Sequence, residues 1–225
     1  MHATSLLRLL QLASPSLPIG AYTYSQGLES AIETGIVNDE SSARAWIIES
    51  LGIVADFEAP VLWRLLKAFS ARDLAAVTYW TERFVAARDT AEFRAETIQM
   101  GYSLGKLVAD LKIADDTLLE ILADQHEIPL PTAFACAATA LAVPHHEALL
   151  GSLFSTIENQ TLACVKSVPL GQVSGQRLLF SLHPEIEAAS QRAQLLADDE
   201  LSSWAPGLSL LSMQHEVQYS RIYRS

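Results

Sequence analysis

Basic residues are few in this chain of 225 residues: Lys and Arg number 15 against 26 Asp and Glu, a formal charge of −11 at pH 7. No cluster of Lys or Arg offsets the deficit locally. Nucleic acid and anionic membrane surfaces both need a cationic face, to release counterions or to meet lipid charge, so the sequence predicts neither as a partner. Cysteine is scarcer still. Cys136 and Cys164 stand far apart in apolar surroundings, which fits reduced core thiols in a cytoplasmic protein better than a disulfide framework or a redox pair. Long apolar runs are missing too. The best, Ala133 to Val143, is fenced by Pro131 and Pro144 and falls well short of the ~20 residues a spanning helix needs. The start of the chain lacks a basic lead-in, and Arg8 interrupts the leucines that a signal peptide would keep continuous, so export is not expected and the expected compartment is cytoplasm.

What is abundant is apolar side chain. Hydrophobic residues make up 50% and charged residues only 18%, against roughly 25% charged in an ordinary globular chain. Such a surface must carry extra apolar area, and partners are the usual reason. Strict apolar–polar alternation is absent, whereas spacings of three and four recur throughout, so the fold class is all-α: a single-domain multi-helix bundle spanning residues 1–225. A first helix shows Leu6, Leu9, Leu10 and Ala13 on one stripe and stops at Pro15 and Pro18. Tyr24 to Thr34 reads as a second helix ended by Gly35, and Asn38 or Asp39 caps a third with Trp46, Leu51 and Val54 inward, which Pro60 kinks or divides.

Helices are then predicted over Val61–Ser70, Asp73–Ala87, Ala91–Asp110 and Asp115–Asp124. The Ala-rich segment Thr132–Val143 reads as a buried central helix, and Pro144 as the first residue of a long helix reaching about Lys166. A loop containing Gly171 and Gly175 follows, then short helices over Gln176–Ser181 and Glu185–Leu196. Trp204 to Gly207 breaks the rhythm. The closing Met213 to Ser225 lacks a clear period, so residues from about 205 to 225 read as a tail that orders only against another surface.

Several motifs fail on spacing. His145 and His146 are adjacent and diverge by about 100° on a helix, where a helical metal site wants i and i+4. His126-Glu127 and His215-Glu216 lack the second His of a zincin helix, so no metal ligand is assigned. Gly101 to Lys106 glances at a phosphate loop, but Leu107 stands where Ser or Thr must hold Mg²⁺. Ser103-x-x-Lys106 has no companion motif that would make a nucleophile.

Three stretches carry residues that neither core packing nor a generic loop requires. Ser14 to Glu29 couples a stiff proline loop to Tyr24, Gly27 and Glu29, with Gly27 permitting close approach of another group. Lys166 to Gln176 holds Gln172 and Gln176 four apart, suited to fixing a loop or meeting a partner's backbone. His215 to Ser225 offers two Arg and two Tyr, favoured interface anchors. A helical enzyme drawing on Tyr22, Tyr24, Glu29 or His146, or a helical regulator that binds a small molecule, stays open on these residues alone.

The three stretches together resemble the signature segments of the UreF-type urease accessory proteins. The first resembles the family's leucine-rich start, proline loop and Gly-x-Tyr/Phe-x-x-Ser-x-Gly-Leu-Glu run. The second resembles its Pro-Leu-Gly-Gln-x-x-Gly-Gln segment, and the third its His-Glu-x-x-Tyr-Ser-Arg-Leu-Phe-x-Ser ending. Arg94-x-Glu96-Thr97 falls where the family carries Arg-x-Glu-Thr-Arg. Here Ala21 replaces a Gly, Ile98 an Arg, and Ile222 and Tyr223 a Leu and a Phe. Without the Arg at 98, that helix face is expected to contribute packing only.

The resemblance implies an all-helical homodimer with no catalytic residues and no tightly bound cofactor. Its implied partners are a UreD/UreH-type accessory protein, a UreG-type GTPase and apo-urease. Ni²⁺ would be handled transiently by the complex, along a passage the family helps to line, while GTP and Mg²⁺ belong to the GTPase. The resemblance places Lys166, Gln172 and Gln176 in a loop near the dimer axis that faces the GTPase. It places His215, Glu216, Tyr219, Arg221 and Tyr223 in a tail ordered by partner binding, with Tyr24, Gly27 and Glu29 also at the partner interface. Arg221 leads this set because its planar guanidinium can make two bonds at once.

Overall fold

A computed structural model describes residues 2–225. Among these residues the chain forms twelve α-helices and one 3-10 turn and no strand, as the periodicity predicts. The starts of the helices follow local chemistry. Asp39 accepts from the Ser42 backbone N–H while the Ser42 hydroxyl takes the Asp39 N–H, a reciprocal cap that opens α3 (Glu40–Asp56) and is worth about 1 kcal/mol. Asp73, Thr90 and Asp115 cap α5 (Leu74–Ala86), α6 (Ala91–Asp110) and α7 (Asp116–Ala123), each side chain accepting one backbone N–H of the first turn. Between α3 and α4 (Glu58–Ala71) the chain breaks at Phe57 (φ −140°, ψ −61°), three residues before Pro60, which sits in the first turn of α4 where a missing N–H costs no helical bond.

The Ala-rich helix α8 (Leu130–Ala140) is the centre of the molecule, with Thr132 through Ala138 all buried. Its small side chains let α4 and α6 close on it from either side. The approach of α6 is so close that a Cβ on Gly101 would lie 2.0 Å from the Ile128 carbonyl oxygen and 2.5 Å from the Pro129 carbonyl carbon. Around this centre, α9 (His145–Ser167) runs along α3 and α4 and receives α1 (Ala3–Leu12), α2 (Leu28–Glu33), α10 (Gln172–Ser181) and α11 (His183–Leu195). The last helix, α12 (Pro206–Glu216), lies on α2 and α6. One contiguous apolar cluster extends from Leu12 to Tyr223.

Four expectations are corrected. The inner residue of α1 is Leu12, whereas Leu6 and Leu10 are exposed, because α1 lies on the outside of α9 and meets the bundle on one narrow side. Tyr24 to Thr34 is not one helix. A 3-10 turn over Ala21–Thr23 precedes a tight bend, with Gln26 at φ 55° and Gly27 at φ +80°, and α2 starts only at Leu28. The inward face of α3 is Ala43, Ile47, Leu51 and Ala55, with Trp46 and Val54 only half-buried. Finally, Gly171 to Gly175 is not a loop, since α10 begins at Gln172 and its buried Gly175 brings that helix onto Val165 of α9.

Candidate assembly site at the C-terminal segment

The segment after α12 is ordered against its own chain, and the expectation of a tail that waits for another surface is corrected. Glu29, in the first turn of α2, is buried, and its carboxylate accepts the backbone N–H of Ile222 at 2.6 Å and of Tyr223 at 2.8 Å. Its Oε2 also faces Nε2 of His215 at 3.1 Å. The opposite ring nitrogen of His215 meets the Glu92 carboxylate at 2.9 Å, and Glu92 in turn takes the Arg221 guanidinium at 3.3 Å. This fully buried ring thus has a carboxylate within hydrogen-bond distance of each of its nitrogens. Glu29 and Glu92 are therefore both partnered, by backbone N–H groups, the His215 ring and Arg221, as buried carboxylates must be.

A second set of bonds fixes the chain end. The Arg224 N–H donates to the Thr23 carbonyl at 2.8 Å, and the Ser25 N–H and hydroxyl donate to the Ser225 carbonyl at 2.8 and 2.6 Å. The Ser225 hydroxyl donates to Glu96 at 2.7 Å, and Gln26 donates to the other Glu96 oxygen at 2.8 Å. Burial pushes the Glu96 carboxyl up to about 7 against these hydrogen bonds, which pull it down. From α9, Asn159 and Gln160 donate to the Tyr24 and Ser25 carbonyls at 3.0 Å each. Tyr223 is buried beside Ser167 at the end of α9, and burial raises its phenol. Gly27 belongs to the same junction: a Cβ there would meet Leu208 of α12 at 3.0 Å on a left-handed backbone that side chains avoid.

The residues singled out from sequence therefore divide. Tyr24, Gly27, Glu29, His215 and Tyr223 are buried and come together at one junction; Glu216, Tyr219 and Arg221 lie on its outer side, exposed. Lys166 is exposed in the last turn of α9, next to the Ser167 that adjoins Tyr223, and Gln172 and Gln176 are exposed one turn apart on α10. The residues proposed for an acid–base pocket do not assemble. Tyr22 is exposed, the Glu29 carboxylate already accepts three bonds, and His146 faces Gln194. His145 takes a hydrogen bond partner in Ser70, and among the described residues no group of three or more His, Cys, Asp or Glu is arranged to hold a metal ion. Burial raises both thiols, Cys136 and Cys164, to about 12, which suits packing rather than reactivity.

The sequence reading missed Glu92, Glu96, Ser25, Gln26, Asn159 and Gln160. The face of α6 expected to carry packing only holds Glu96 and Thr97 buried, with the Thr97 hydroxyl accepting the Leu130 N–H at 3.1 Å. A signal was present: Glu92, Glu96 and Met100 recur at a spacing of four, so two carboxylates share the stripe that carries an apolar residue into the core. Their partners, however, are Gln26 near the start of the chain and His215, Arg221 and Ser225 among its last eleven residues, beyond the reach of any local pattern.

Comparison with known proteins gives a consistent picture. The UreF family model matches residues 37–183. The urease accessory protein UreF of Nitrosospira multiformis is 76% identical over 221 residues, covering 98% of each chain. That of a Janthinobacterium species (strain Marseille) is 70% identical over 226 residues and covers all of both chains. The protein of the same name from Ralstonia pickettii is 47% identical over 228 residues, with 100% of this chain and 99% of its own covered.

Proposed function

The chain belongs to the UreF family of urease accessory proteins, and we propose on that premise that it acts as a cytoplasmic, homodimeric scaffold in nickel insertion. Its relatives carry the name urease accessory protein, which accords with a non-enzymatic role. In this reading the whole chain works as a single domain that joins a UreD/UreH-type accessory protein to a UreG-type GTPase and gates delivery of Ni²⁺ to apo-urease. The metal is cargo, and GTP and Mg²⁺ are held by the GTPase.

The observation that carries the proposal is the form of the C-terminal segment. Its backbone is pinned from below by Glu29, Ser25 and Thr23, while Val217, Tyr219 and Ile222 stand exposed with Glu216 and Arg221 beside them. Large apolar side chains do not stay in water on a rigid mount without cost, and a Tyr–Arg set rimmed by charge is the composition of a binding anchor. We assign this face to the UreD/UreH-type partner. The buried members, Tyr24, Gly27, Glu29, His215 and Tyr223, position it. The exposed Lys166, Gln172 and Gln176, with Val173 and Phe180 exposed on the same helix α10 as the two glutamines, form the face assigned to the dimer axis and the GTPase.

The test is co-purification with the UreD/UreH-type partner, followed by addition of the GTPase and apo-urease. Tyr219→Ala combined with Arg221→Ala is expected to cut recovery of the complex at least tenfold and to lower nickel per active site in proportion, with helical circular dichroism unchanged. Normal assembly and activation by that double variant would remove the segment from the interface.

A further inference from the structure

Among the α-helices of the described residues, α12 is the exception in how it is seated. Every other one buries at least one apolar side chain, from Leu12 of α1 to Ile186 of α11, whereas the buried residues of α12 are Ser209, Ser212 and His215. Its larger apolar residues lie elsewhere: Leu208 and Leu211 are half-buried, while Leu210, Met213 and, just past the helix, Val217 are exposed. A row of hydrogen bonds does the seating. Ser209 donates to Asp89, the hydroxyls of Ser212 and Thr90 meet at 2.8 Å, and His215 lies between Glu29 and Glu92 at 3.1 and 2.9 Å. Leu208 and Ser209 also line a partly open cavity of about 130 Å³, together with Gln26, Glu58, Glu96 and Gln160, so this stretch of the seam has no packed floor.

The flanks of α12 are held differently. Before it, Leu201 packs on the core and the Ser202 N–H donates to the Asp56 carbonyl at 3.1 Å. After it, Tyr223 is buried in the apolar cluster and Ser225 is bonded to Ser25 and Glu96. A hydrogen bond across a seam replaces one to water, so its net gain is small, whereas a buried apolar side chain forfeits its whole gain on exposure. Lifting α12 returns hydroxyls, an imidazole and carboxylates to water and exposes little that the hydrophobic effect holds down. We infer that α12 is the movable span of a strap, fixed at Leu201–Ser202 and at Tyr223–Ser225, that lifts off α2 and α6 while the other helices stay folded. Lifting opens the cavity wall at Phe57, Phe84 and Met100 and takes Val217, Tyr219 and Arg221 off their rigid mount. The strap therefore sets whether the exposed C-terminal face is presented, whichever protein meets that face.

Amide exchange on the full chain, resolved by residue with NMR, tests the strap. Helix-bonded amides in the second half of α12 are expected to be protected at least about 100-fold less than those of α8, with Ile222 and Tyr223 protected more than α12. A lock gives the second reading. The Thr90 and Ser212 hydroxyl oxygens lie 2.8 Å apart, so cysteines at both positions are within reach of a disulfide. Oxidised Thr90→Cys/Ser212→Cys should gain at least about tenfold protection along α12 over the same variant reduced, with α8 unchanged. Protection of α12 equal to that of α8 in the unmodified protein overturns the inference, and this reading stands even where the bridge does not form. So does equal α12 protection in the bridged and reduced variant. Faster exchange at Ile222 and Tyr223 than in α12 also overturns it, because the segment then frays from the chain end and is not fixed on both sides.

Discussion

Glu29 anchors the end of the chain through two backbone N–H groups and the His215 ring, all in a buried setting. Removing the carboxylate strands three donors at once, and each unmet donor costs about 1–3 kcal/mol. Glu29→Ala is therefore expected to destabilise the docked segment by about 3 kcal/mol or more and to release it, read as loss of amide-exchange protection at Ile222 and Tyr223 with helical signal retained. Protection equal to that of the parent would show that the carboxylate does not hold the segment. The two thiols offer a plainer check. Both are buried, and burial raises each to about 12. Neither should react with an aromatic disulfide reagent at pH 8 until denaturant unfolds the chain, when two thiols should titrate. Prompt reaction of either thiol in the native protein would contradict its packing role.

Among the helices, the contact between α6 and α8 is the most demanding, because the neighbour of Gly101 is backbone, which cannot rotate aside. Gly101→Ala should push the two helices apart and lower stability by about 2 kcal/mol or more. Gly52 is the counterpart: it is exposed in α3 with nothing within 4 Å of an added Cβ, so Gly52→Ala should stabilise by up to about 1 kcal/mol through helix propensity alone. Denaturant unfolding of the two variants measures both. The same change with the same sign at both positions would mean that backbone proximity does not limit α6.

The whole molecule inherits a pH dependence from Glu96, which joins α6, the bend at Gln26 and the chain end. Its carboxyl is raised from 4.5 to about 7 by burial, so the folded state binds this proton more tightly than the unfolded state does. Its contribution to stability is thus greatest below about 4.5, declines as pH rises through the interval to about 7, and is flat above it. The full effect is on the order of 3 kcal/mol at most. Glu96→Gln should flatten that part of the stability–pH profile while leaving the remaining titrations in place. An unchanged slope between pH 4.5 and 7 would locate the dependence elsewhere.

The helical class and most helix starts were legible in the residues themselves, because capping and periodicity act over three or four positions: Asp39, Asp73 and Asp115 open helices where they were expected to. The buried Ala-rich centre was legible for the same reason, and the order of the three unusual stretches pointed to the family. What no local pattern contained was the destination of the final residues. Ile222 bonds to Glu29 across 193 positions, and Ser225 to Glu96 across 129. A stretch without a period looks free to wander when read alone; it is fixed here because buried carboxylates on α2 and α6 need donors, and folding brings the last backbone N–H groups and the final hydroxyl within reach of them. The bend at Gln26 and Gly27 and the seating of Gly175 on α9 were decided in the same way, since the approach of α12 to one and of α9 to the other exists only once the helices have assembled.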